Sequence, residues 1–264
     1  MNSSALIQWA GKIPFLSHGL RWYASQYAEN SIVRIKHGGA AGFLWKRHHR
    51  YVNGYWLGHY ELPIQEALRR ELRAGETFFD IGADAGFFTL IAAKLVGPAG
   101  RCVAFDPAPS NYRAIREQID ANELNDYCVA LQEAIGDHDG TATFSFSTSG
   151  SPKGHLGAGR KSESEILVKT LSLDTACERM GKPDFIRMDI EGGEGAALYA
   201  ARHTIAKIRP RWLIELHGPE RERQIRGILA EADYKFFDLE GAPLPATTAL
   251  PQHFIARPDS ALVS

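Results

Sequence analysis

Three cysteines in 264 residues, Cys102, Cys128 and Cys177, are too few and too widely spaced for a disulfide framework or a zinc site. Two of them fall in apolar stretches that read as strands, so buried free thiols in a reducing, cytoplasmic setting are the expectation. Excess charge is lacking too: 30 Lys plus Arg against 31 Asp plus Glu leave a formal net charge of -1. The electrostatic footprint that a phosphate backbone demands is missing, which argues against nucleic acid as a partner. The first residues mix Lys12, Pro14, His18 and Arg21 among their apolar neighbours, so neither a signal peptide nor a membrane span is expected. No internal repeat is visible. The dinucleotide fingerprint G-x-G-x-x-G fails as well, because a pattern opened by Gly82 needs glycine at 84 and 87, which are Asp84 and Phe87. A nicotinamide oxidoreductase is disfavoured on that ground.

What is present centres on residues 76–91. An apolar run ends in Asp80, small residues follow at Gly82, Ala83, Ala85 and Gly86, and a helical apolar pattern begins at Phe87. Strand, tight turn and helix follow from that order, with unpaired N–H groups and a positive dipole end offered at the helix start. A second apolar strand, 101–105, closes on Asp106-Pro107 about 20 residues further on, where a carboxylate can accept both hydroxyl protons of a ribose.

Strands and helices alternate along the chain, which predicts a mostly parallel sheet in an α/β fold. Helices are expected at 62–72, 87–95, 110–122 (capped by Ser110), 173–180, 194–206 and 219–231. Strands are expected at 76–81, 101–105, 127–134, 141–146, 165–170, 184–189, 211–216, 233–239 and 252–257. The serine- and glycine-rich stretch 147–164 reads as a loop long enough for a lid. Residues 1–60 are rich in aromatics, among them Trp45, Tyr51, Tyr55, Trp56 and Tyr60. They read as an N-terminal extension with a helix near 5–29 and extended pieces at 31–36, 42–46 and 49–53, set against a main domain over 61–258. The run Lys46-Arg47-His48-His49-Arg50 is read as a solvated face rather than a substrate clamp.

Ionisable side chains collect at two predicted strand ends. Asp189, Glu191 and Glu194 follow the strand Phe185-Ile-Arg-Met, and Glu215 and His217 follow Arg211-Trp-Leu-Ile. Ligands of open α/β sheets bind at carboxyl ends of strands, so chemistry is expected there. Glu191 and Glu194 have an equal claim as caps of the next helix, and Arg187 reads as a salt-bridge partner.

Five blocks in order, Phe79–Thr89, Val103–Pro109, Ala134–Asp137, Ile186–Glu194 and Leu213–His217, resemble the FkbM family of S-adenosylmethionine-dependent methyltransferases from about Tyr60 to Tyr234. The resemblance implies a class I methyltransferase (Rossmann-like) three-layer fold, with a seven-stranded, mostly parallel sheet and one antiparallel strand near its edge. It also implies methylation of a hydroxyl on a sugar or natural product. Carried onto this chain, Asp80, Gly82, Asp84, Gly86 and Phe87 resemble the cofactor turn. Asp106 and Pro107 resemble the ribose acid and its neighbour, Glu133 and Ala134 the neighbours of adenine, and Tyr60-Glu61 a pair near the cofactor. The chain departs from the pattern with Asp84 where the family often has Asn, and with Asp106 where it often has Glu.

Methyl transfer to a weakly acidic hydroxyl needs an aligned acceptor, water excluded and a proton removed. His217 is the candidate base, with Asp189 and Glu215 beside it and Asp189 also at the cofactor. Alternatively Asp189, Glu215 and His217 hold a divalent cation such as magnesium that acidifies the acceptor. A non-catalytic cofactor- or nucleoside-binding module of an assembly, and an N-methyltransferase of small molecules, stay open beside the O-methyltransferase reading. A homo-oligomer is allowed for.

Overall fold

The computed structural model describes residues 27–51, 54–147, 154–157 and 163–259. An antiparallel pair, β1 (Ile32–Arg34) and β2 (Leu44–Lys46), precedes the main domain. Then come α1 (Leu62–Glu71), β3 (Thr77–Ile81), α2 (Phe87–Val96), β4 (Arg101–Phe105), α3 (Pro109–Ala121) and β5 (Cys128–Leu131). A run of strands follows: β6 (Ala134–Gly136), β7 (Gly140–Ser147), β8 (Gly154–Leu156) and β9 (Glu163–Ser172). The chain continues through α4 (Leu173–Met180), β10 (Phe185–Met188), α5 (Glu194–Ala200), β11 (Arg211–Glu215), α6 (Pro219–Glu231), β12 (Tyr234–Phe237) and β13 (His253–Pro258).

Seven strands make the central sheet, in the order β12-β13-β11-β10-β3-β4-β5. Only β13 runs against the rest. Central strands are apolar on both faces because helices cover both. Phe78, Cys102, Phe185 and Leu213 point to the layer of α1, α2 and α3. Phe79, Val103, Ile186 and Trp212 point to the layer of α4, α5 and α6. Each such buried Phe, Leu, Ile or Val side chain contributes about 1.5–3 kcal/mol of transfer free energy.

Several expectations are corrected. The single strand expected at 127–134 is two, with β5 in the central sheet and β6 in a second, four-stranded sheet ordered β6-β9-β7-β8. The stretch read as a loop over 147–164 contains β8, which pairs antiparallel with β7, and the start of β9. The rest of it, 148–153 and 158–162, lies outside the described residues. Ser110 does not cap α3: Ala108 holds the cap position without a side-chain bond and Pro109 takes the first turn, where its missing N–H would have been unpaired anyway. The helix expected to 206 ends at Ala200, and a short wide turn, Thr204–Ile208, follows it. Of the extended pieces expected near the N-terminus, 49–51 is not a strand; the helix expected at 5–29 falls almost wholly outside the described residues.

The three cysteines are free and buried. Among the described residues no helix is long and apolar enough to cross a membrane. The segment before α1 packs on the α1–α3 layer through Ile35, Trp45, Tyr51 and Tyr55. Two amide side chains, Gln118 of α3 and Asn122 that caps its carboxyl end, serve it as a substitute strand. Asn122 accepts from the N–H and donates to the carbonyl of Leu44 (2.7 and 2.8 Å), and Gln118 does the same for Lys46 (2.9 and 2.8 Å).

Candidate active site

Carboxyl ends of β4, β3, β10 and β11 lie side by side, and the loops after them carry the ionisable residues. Gly82, at φ +81°, is required where the turn after β3 meets the turn after β10: a Cβ there would lie 1.8 Å from the carbonyl oxygen of Asp189. The two halves of the site therefore touch through their backbones.

Arg187 joins them from below. It donates from Nη1 to Asp80 Oδ1 (3.0 Å) and to the Gly82 carbonyl (3.2 Å), and from Nη2 to Asp189 Oδ2 (2.7 Å), with Phe88 beneath its guanidinium at 4.5 Å. Burial by itself would lower Arg187, but the charges of Asp80, Asp189 and Glu61 hold it well above its ordinary value. Asp80 is fully buried, and its other oxygen accepts from Thr89 Oγ1 at 2.6 Å. Both of its oxygens are thus engaged inside the protein, and it shapes the turn from within.

At the β3–β4 side, the Asp106 carboxylate accepts from the N–H of Ala108 and of Asp84 (3.0 Å each) and from Asn111 Nδ2 (3.1 Å). Burial, and after it the charge of Asp84, push Asp106 up to about 8, against the pull of those three donors. Asp84 has left-handed backbone (φ 50°), and Tyr55 donates to its Oδ2 at 2.5 Å. The Tyr51 hydroxyl donates to Asn111 Oδ1 at 2.8 Å. Phe87 is buried under Tyr55, whose ring stacks on it. Farther along, Glu133 faces Arg179 (3.2 Å), and Ala134 is buried with Ala108 and Phe144.

His217 is the hub of the other side. Its Nδ1 lies 2.9 Å from Glu194 Oε1, while Nε2 faces Glu191 Oε2 (3.3 Å), Glu215 Oε1 (3.6 Å) and Asp189 Oδ1 (3.7 Å). Burial would lower the imidazole, yet the hydrogen bond and charge of Glu194 and the charges of Glu191 and Asp189 outweigh it and push His217 up to about 9. With that rise the charged form of the imidazole is favoured at neutral pH. Glu194, fully buried, also accepts from the N–H of Ile190 (3.2 Å) and Gly192 (3.1 Å), so it clamps the loop ahead of α5 as well as orienting His217. Glu191, for its part, faces the imidazole in left-handed backbone. Glu215 is steadied by Gln252 (2.9 Å) and His253 (3.2 Å), the latter holding its carboxyl well below the usual range against the effect of burial.

A pH signature follows from His217. Its folded value is raised from 6.5 to about 9, so its contribution to stability is complete below about 6.5 and lost as pH rises through 9. In metal-chelating buffer, His217→Gln should cost most stability near pH 6, with the gap to the parent closing by about pH 10. Urea unfolding across that range is the measurement.

The Methyltransferase FkbM domain model matches residues 80–236, more than half of the sequence. The chain belongs to the FkbM methyltransferase family. Its fold is accordingly the class I methyltransferase fold. Similar solved structures include the FkbM methyltransferase of Methylobacillus flagellatus KT, 14% identical with a TM-score of 0.48 over 91% of this chain; the match spans 58% of that one. An S-adenosylmethionine-dependent O-methyltransferase of Thermotoga maritima is 11% identical (TM-score 0.47, 88% of this chain and 79% of that one). Fibrillarin of Aeropyrum pernix, with natively bound S-adenosyl-L-methionine, is 11% identical (TM-score 0.44, 74% and 73%). No protein of curated function matches the sequence.

Within this FkbM methyltransferase, Asp84, Asp106, Asp189, Glu191, Glu215 and His217 all stand at adjacent strand ends. Residues that the sequence did not single out are Tyr51, Tyr55, Asn111 and Thr89. Asn111, one helical turn past Asp106-Pro107, carried a weak positional signal; the tyrosines lie before the matched region and carried none.

Proposed function

We propose that this methyltransferase moves a methyl group from S-adenosylmethionine to a hydroxyl of a sugar or another small natural-product molecule. What carries the reading is a cofactor-type strand-end turn beside an ionisable cluster centred on His217. A pure binding module has no use for such a cluster. The cofactor bears a sulfonium and an ammonium, and the carboxylates of Asp84, Asp189 and Glu191 are complementary to those positive charges. Asp106 would take the ribose hydroxyls and the 82–86 turn the amino-acid end, with Glu61, Pro107, Glu133 and Ala134 flanking them. When bound, the cofactor supplies an electrophilic methyl.

His217, set by Glu194 so that Nε2 faces the cluster, removes the acceptor's proton; Asp189 and Glu215 orient the imidazole and the acceptor. Positive charge brought beside these carboxylates favours the neutral imidazole that a base requires.

A divalent cation is a second reading that the geometry favours. Ligand atoms of Asp189, Glu215 and His217 all lie within 4.8 Å of one another, and Glu194 on Nδ1 is the usual outer partner of a metal-binding histidine. Such an ion would acidify the acceptor in place of a base.

Calorimetric titration with S-adenosylmethionine tests the cofactor assignment. Asp106→Ala should weaken binding about tenfold or more, equivalent to about 1.4 kcal/mol. Equal affinity in parent and variant would remove Asp106 from the cofactor site.

A further inference from the structure

The matched family region begins at Asp80, yet the turn it opens is not completed by that region alone. Tyr55 comes from the segment before α1. Its ring stacks on Phe87 (centroids 5.3 Å apart, 24° between planes) and meets Tyr60 edge-on at 4.7 Å, while Trp45 lies 5.3 Å away. Packing on several sides fixes the hydroxyl to within a narrow range, and it donates to Asp84 Oδ2 at 2.5 Å, a charge-assisted bond.

Asp84 is itself unusual. It stands in left-handed backbone in the middle of the cofactor turn, and its N–H is committed to Asp106 Oδ2. After burial, the charge of Asp84 is the larger influence that raises Asp106, so the two acids stand close enough to act on each other. A negative group stands at 84, where it raises the charge density of the turn, and a tyrosine from outside the family region holds it there. Groups that reward such a carboxylate are hydrogen-bond donors, preferably cationic.

We infer that Tyr55 is a positioning residue that holds Asp84 to receive a donor group of the cofactor, either its ammonium or a ribose hydroxyl. The segment before α1 is then part of the cofactor site rather than an appendage. The side-chain amides of Gln118 and Asn122 dock its β2 strand, and Tyr51 reaches Asn111 beside Asp106, so the segment touches this turn at two points. The inference rests on the S-adenosylmethionine reading proposed above.

Tyr55→Phe tests it, since the ring contacts stay and only the O–H is lost. Calorimetry on the full chain would compare S-adenosylmethionine with 5′-deoxy-5′-methylthioadenosine, which lacks the amino-acid end. The expected result is about tenfold weaker cofactor binding in Tyr55→Phe. A loss confined to S-adenosylmethionine assigns the pair to the ammonium; an equal loss with methylthioadenosine assigns it to the ribose. Asp84→Asn should weaken binding too, and the double variant should be no weaker than Asp84→Asn alone, a non-additivity that a merely structural tyrosine would not produce. Parent and Tyr55→Phe binding the cofactor equally would overturn the inference and leave the cofactor reading intact. A parent that binds no S-adenosylmethionine would overturn both.

Discussion

Arg187→Met should destabilise the protein by about 3–5 kcal/mol, because it strands a buried carboxylate. Asp80 is fully buried and keeps only Thr89 once the guanidinium is gone, while Asp189 loses its 2.7 Å partner. The methionine fills most of the space beside Phe88, so the loss is one of charge pairing rather than of volume. Urea unfolding gives the magnitude. The control is Asp80→Asn in the same chain: with the stranded charge removed, the double variant should recover a large part of the loss. A single-variant cost below about 1 kcal/mol would mean that Asp80 is neutral or reached by water, and the role given to Arg187 as the tie between β3 and β10 would fall.

The second large effect is on turnover. His217→Gln should lower kcat by about 10²–10⁴, the usual range for general base catalysis, while S-adenosylmethionine affinity stays within about threefold. Glutamine keeps a polar group near Glu194 but has no titratable nitrogen. Measuring kcat alongside cofactor affinity, with and without a chelator, separates the two roles open to this side chain. Unchanged turnover on chelation, with loss in His217→Gln, supports the base. Loss on chelation in the parent that magnesium or manganese restores supports the cation held by Asp189, Glu215 and His217. Full turnover in His217→Gln would remove the residue from the mechanism under either account.

Much of the architecture was legible from local pattern. The strand at 77–81 with its glycine turn, the strand at 101–105 ending in an acid, and helices at 62–71, 87–96, 173–180 and 219–231 all stand within a residue or two of where periodicity put them. Their alternation predicted the parallel sheet. Errors fell where tertiary context overrides a local signal: at 127–134 the chain changes sheets across only Gln132 and Glu133, and at 147–164 a polar, glycine-bearing stretch is held as β8 by pairing with β7. At Ser110 a good capping residue was passed over because Pro109 already opens the helix.

Strand-end acids were visible for the same reason as the fold, since each follows directly on an apolar run. What they do to one another was not. Composition places Asp189, Glu191, Glu194, Glu215 and His217 at two separate points of the chain; only adjacent parallel strands gather them round one imidazole and push it up to about 9. Likewise the partners of Asp80 were not legible: only the structure shows its two oxygens held by Arg187 and Thr89.

The sequence by itself determined the chain's α/β class, its alternation of strand and helix and the position of its ionisable residues after apolar runs, because those depend on spacing along the backbone. The tertiary structure decided the charge states, the pairing of Arg187 with two carboxylates, and the arrival of Tyr55 at Asp84 from 29 residues away. Contacts of that kind depend on which loops the core brings together, and a one-dimensional pattern carries no record of them.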